Sequence, residues 1–92
     1  MQVVWSPLAL RQLDQIFDYL HALNPRAAAE VSAALIAASE NLVSFPHRGR
    51  PVGQTDLREL IAAYPYIIRY QITREQVRIV RVRHTARRRT KP

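Results

Sequence analysis

Arginine is the residue type best placed to do chemistry in this 92-residue chain. Residues 1–46 carry Arg11 and Arg26 against Asp14, Asp18, Glu30 and Glu40, a small negative balance. Residues 47–92 carry eleven arginines and Lys91 against Asp56, Glu59 and Glu75, and so account for the net charge of +7. A guanidinium fork grips phosphate or carboxylate through two parallel N–H donors. Positive charge gathered into one half predicts a polyanionic partner, either nucleic acid or an acidic protein segment. A solvated basic face kept for solubility is the competing explanation.

Other chemistry-bearing residues are few. His84 is the one histidine placed for proton transfer, with an ordinary pKa of about 6.5. Its competing role is structural, because strand alternation puts it with Val80 and Val82, towards the core. Glu59 has the type of a general base. A carboxylate among so many arginines has a lowered pKa, which suits an ion-pair partner better. Trp5, Tyr66 and Tyr70 are assigned to the core, and Tyr64 is the freest aromatic. The chain has no cysteine, so disulfides and thiolate metal sites are excluded. The sequence shows no glycine-rich phosphate loop, metal-ligand cluster or Ser/Cys nucleophile constellation, so neither metal nor cofactor is expected. No apolar run approaches the roughly 20 residues of a membrane span, and no secretory signal is visible. A cytoplasmic protein is expected.

These residues need a scaffold. Val3-Val4-Trp5 reads as a short strand. Ser6-Pro7 is an N-cap followed by proline at the first helical position. Ala9, Leu13, Ile16, Phe17 and Leu20 recur at helical spacing. Asn24-Pro25 repeats the cap signal, and Ala28, Val31, Leu35, Ala38, Leu42 and Phe45 form a second stripe. The short link predicts an antiparallel helix hairpin. Residues 45–53 hold both glycines of the chain and two prolines, and read as a loop. Strands are expected at about 57–62, 65–72 and 76–84, the last central in the sheet. The fold class is therefore α+β: an N-terminal strand, a helix hairpin, then a three-stranded antiparallel meander. One domain is expected over residues 1–92, with a basic tail from about residue 86. The helices must cover one sheet face. The other face is left with Arg58 or Glu59, and with Arg69, Arg81 and Arg83.

The order of local motifs resembles toxins of the RelE/ParE superfamily. The blocks are Val3-Val4-Trp5-Ser6-Pro7, Asp18-Tyr19-Leu20, Asn24-Pro25, the loop Phe45-Pro46-His47-Arg48-Gly49-Arg50-Pro51, Leu57-Arg58-Glu59-Leu60, Tyr64-Pro65-Tyr66 and Arg81-Val82-Arg83-His84-Thr85-Ala86-Arg87. Together they span Val3 to about Arg88. The resemblance implies the toxin half of a type II toxin–antitoxin pair. Its partner would be a cognate antitoxin that wraps an extended acidic segment over the toxin in a hetero-oligomer. Two intracellular targets follow. RelE-like members cut ribosome-bound messenger RNA without metal; ParE-like members inhibit DNA gyrase by binding.

Metal-free RNA cleavage needs a base for the 2′-hydroxyl, an acid for the leaving 5′-oxygen and cations for the developing charge. By resemblance, Arg58, Arg81 and His84 are the catalytic candidates. Arg48, Arg50, Arg69, Arg83 and Arg87 are the candidate target contacts. Arg58 has a structural alternative, pairing with Glu59, Asp56 or Glu75 to hold the sheet. The chain departs from RNA-cutting relatives in lacking middle-loop lysines and any tyrosine after Tyr70. The arginine-rich sheet face favours messenger RNA cleavage. The gyrase reading needs no catalytic residue, and a non-toxic member kept as an antitoxin partner is the third.

Overall fold

A computed structural model of the protein describes residues 1–87, apart from the side chain of Arg87. Arg87 as a target contact, and the basic tail beyond it, therefore lie outside the described residues. The order is β1 (Gln2–Trp5), α1 (Pro7–Leu23), α2 (Pro25–Asn41), β2 (Arg50–Pro51), β3 (Leu57–Ala63), β4 (Tyr66–Ile72) and β5 (Gln76–His84), closed by a short 3-10 turn at Thr85–Arg87.

The caps sit where the sequence put them. The Ser6 hydroxyl accepts from the Ala9 N–H at 3.0 Å and donates to the Val80 carbonyl at 3.1 Å, so one side chain starts α1 and ties it to β5. Asn24 does double duty. Its N–H donates to the Leu20 carbonyl at the end of α1, and its side chain accepts from Arg26 and Ala27 at the start of α2. The helix pair buries Ala9, Ile16, Ala28 and Leu35. Two members of the expected stripes do not join them. Phe17 is 36% exposed, and Phe45 is 60% exposed because α2 ends at Asn41.

The sheet has five strands in the order β1-β5-β4-β3-β2. The expected antiparallel meander is present, with β1 added parallel to β5 and the two-residue β2 added antiparallel to β3. β5, expected at the centre, is an interior strand between β1 and β4, one place from the edge; β4 is the central one. The helices pack against the face carrying Ile68, Tyr70, Val77, Ile79 and Val82.

One register shift corrects the alternation read from sequence. Arg69 pairs with Arg81, but Tyr70 pairs with Ile79, so Val80 is an extra residue in β5. Such a bulge moves the side-chain phase by one. Val77 and Ile79 therefore share the helix-side core with Val82, while Val80 drops out of it. Arg81 and Arg83 are turned to the open face as expected, and His84 pairs with Tyr66 on the helix side.

Candidate functional site on the open sheet face

Cross-strand partners share a face, so the register identifies the open side. Arg50 lies opposite Glu59, Glu59 opposite Arg69, and Arg69 opposite Arg81. One row of side chains therefore crosses four strands. The next row is Ile61, Ile67 and Arg83.

Glu59 organises this face. It is 9% exposed and accepts two hydrogen bonds from Arg69, from Nε at 2.9 Å and Nη2 at 2.6 Å, through a single oxygen. Arg83 Nη2 donates to the same oxygen at 3.2 Å, and Arg50 approaches the other at 4.0 Å. Burial alone pushes the Glu59 carboxyl up; hydrogen bonds and charge from Arg69, then Arg83, outweigh it and hold the pKa below the ordinary 4.5. Four arginines against one carboxylate leave the face positive. Arg69 and Arg83 are held internally. Arg50, 81% exposed, and the exposed Arg81 are available to a partner. Arg83 Nη1 is buried and has no hydrogen-bond acceptor among the described residues.

A depressed folded-state pKa stabilises the protein above the unfolded carboxylate value and ceases to do so as pH falls through the folded value. Stability should therefore hold from neutrality down to about pH 4.5, then fall as Glu59 takes up its proton. Urea unfolding at stepped pH checks this. Glu59→Gln should lower stability by about 2 kcal/mol at pH 7 and flatten the acid limb. An acid limb of unchanged slope in that variant removes Glu59 as its cause.

The three catalytic candidates are not brought together. Arg81 is on the open face. Arg58 is opposite Tyr70 and His84 opposite Tyr66, both on the helix side, and four residues of β4 separate them by about 13 Å along the strand. Arg58 pairs with none of the three carboxylates considered. Its Nη1 donates to the Gly49 carbonyl at 2.6 Å and the His47 carbonyl at 3.3 Å, so it holds the loop before β2. His84 Nδ1 accepts from the Ala86 N–H at 3.0 Å, and its ring meets Tyr66 edge-on. Arg48 is exposed and donates to Asn41 at 3.0 Å, away from the arginine row.

Sequence reasoning missed the anchor of this loop. The Tyr70 hydroxyl accepts from the Gly49 N–H at 2.8 Å and donates to the Pro46 carbonyl at 2.7 Å. The available signal was chemical: a core tyrosine needs a partner for its hydroxyl. Among the described residues no group of three or more His, Cys, Asp or Glu is placed to hold a metal, and no helix is long and apolar enough to cross a membrane.

The sequence matches, over residues 3–89, the family described as the ParE toxin of the type II toxin–antitoxin system parDE. The chain belongs to this ParE toxin family. It is 44% identical over 86 residues to Toxin RelE2 of Caulobacter vibrioides, covering 94% of this chain and 97% of that protein. Toxin RelE1 of the same organism is 35% identical over 85 residues, with 89% and 90% covered. A solved chain described as the chromosomal ParDE TA system from P. aeruginosa superposes with a TM-score of 0.80 at 23% identity, covering 91% of this ParE-family chain and 95% of its own. That likeness shows the shared α+β fold. The family places the protein as the toxin of a type II toxin–antitoxin system.

Proposed function

We propose that this toxin arrests growth by binding its target through the basic open face, in the manner of a gyrase-directed ParE, and that a cognate antitoxin neutralises it. The observation that carries the reading is the dispersal of Arg58, Arg81 and His84 over two sheet faces. General acid–base catalysis needs donor and acceptor within hydrogen-bond reach of one substrate. Here Arg58 is committed to two loop carbonyls, and the carboxylate nearest the arginines is held ionised by them. A binding surface needs only the exposed cations, Arg50 and Arg81, on a rigid sheet.

The reading inverts the preference that arginine content alone gave to messenger RNA cleavage. That second reading keeps its support in the names of the RelE2 and RelE1 relatives. Expression of the chain alone tests the class, since it should halt growth and co-expressed antitoxin should restore it. His84→Ala then separates the mechanisms. Binding predicts killing within about twofold of wild type, whereas loss of a general acid costs about 100-fold or more. Trapped cleaved DNA in arrested cells supports the gyrase target; messenger RNA fragments ending at ribosomal A-sites would instead assign the nuclease.

A further inference from the structure

β1 covers only the first part of β5. It pairs with Gln76–Ile79, and among the described residues no strand lies on that side of Val80–His84. Beyond the bulge the ladder to β4 is regular, from Arg81 opposite Arg69 to His84 opposite Tyr66. Two side chains stand in for the missing strand. The Ser6 hydroxyl donates to the Val80 carbonyl at 3.1 Å, and Gln12 Oε1 accepts from the Val82 N–H at 2.8 Å. Because the Val82 N–H turns to Gln12 and not to β4, the backbone groups of Val82 and, two residues on, of His84 face outwards. Beside them lies a hollow of about 310 Å³ lined by Gln12, Gln15, Ile16, Tyr19, Tyr66 and His84. On the other face of the same strand, Arg81 is exposed and makes no ion pair among the described residues.

We propose that an extended segment of the target protein docks here as a short strand beside Val82–His84. Its carbonyls accept from the Val82 and His84 N–H groups, the first in place of Gln12. Alternate side chains of a strand point to opposite faces. An apolar one enters the hollow over Ile16 and Tyr19, and its neighbour brings a carboxylate to Arg81. This deepens the functional reading above and rests on it, since that reading supplies a protein target and gives Arg81 to it. Three features select a peptide over nucleic acid. A row of outward backbone groups is completed by another backbone, the hollow has apolar walls in Ile16 and Tyr66, and one cation sits where an alternating carboxylate falls. His84 contributes its N–H, while its ring stays packed edge-on against Tyr66.

Hydrogen–deuterium exchange on the full chain, alone and bound to purified DNA gyrase, tests the proposal. The His84 amide should exchange at least about tenfold more slowly in the complex. Tyr19→Glu puts a charge in the hollow at a position 53% exposed, so folding is retained and a melting curve verifies it. Its gyrase Kd should rise by about tenfold or more. Unchanged exchange at His84 in a complex that forms, or a Tyr19→Glu Kd within about twofold of wild type, overturns the edge alone. No binding of gyrase by the wild-type chain overturns the functional reading, and the edge with it. Equal protection of His84 by a short DNA duplex overturns the edge. So does a His84 amide already that slow in the free chain, the result expected if its own residues 88–92 or a second copy fill the place.

Discussion

Gly49→Ala should lower the melting temperature by about 10–20 °C, a loss of about 2–3 kcal/mol in a domain of this size. The cause is space, not backbone conformation. A Cβ at Gly49 would lie 2.7 Å from the Glu59 carbonyl oxygen, 2.7 Å from the Tyr70 hydroxyl and 2.8 Å from the edge of its ring. None of these can retreat cheaply. The Glu59 carbonyl belongs to β3, and the Tyr70 ring is completely buried. Relief must come from moving the loop, which breaks the two Tyr70 hydroxyl hydrogen bonds and the short one from Arg58. Tyr70→Phe reaches the same lock from the other side. It leaves the buried Gly49 N–H and the Pro46 carbonyl without their partner, at about 1–3 kcal/mol. The two substitutions touch, so the double variant should lose at least about 0.5 kcal/mol less than their sum. Thermal unfolding of the four proteins measures this. A Gly49→Ala protein melting within about 3 °C of wild type would show that the loop gives way freely.

Reversing the two exposed cations should abolish killing while the fold survives. Arg50→Glu with Arg81→Glu turns a face of four arginines and one carboxylate from net positive to net negative. Both side chains are exposed, and neither makes a close ion pair among the described residues, so the melting temperature should stay within about 4 °C of wild type. Affinity for an anionic or acidic target should fall by about 100-fold or more, because like charges now meet at the contact. Growth-arrest titration with an inducible promoter reads the effect. Arg69 and Arg83 make the contrast. They are held by Glu59, so their loss disturbs the sheet before it disturbs the target. Full toxicity in the doubly reversed protein would mean that the open face is not where the target binds.

Much of this was legible in the sequence because it is local. Ser6-Pro7 and Asn24-Pro25 fix both helix starts through caps that act within three residues. Alternation along Tyr66–Ile72 separated Tyr66, Ile68 and Tyr70 from Ile67, Arg69 and Gln71, and the structure keeps that division. Charge counting placed a cationic surface in the second half. It also foresaw Glu59 as an ion pair rather than a base, since any carboxylate amid so many guanidinium groups is lowered by them.

What sequence alone determined, then, is element order, capping and the gathering of arginines, all set by near neighbours and composition. Tertiary structure decided which guanidinium groups remain available. Arg69 and Arg83 reach Glu59 across strands, Arg58 turns to the carbonyls of the loop, and Arg50 and Arg81 face outwards. A bulge of one residue at Val80 breaks the alternation on which the face of β5 was read, and β2 is too short to leave a periodic signal. Such pairings depend on register between strands distant in sequence. No local pattern encodes that register; packing of the whole sheet against the helices selects it.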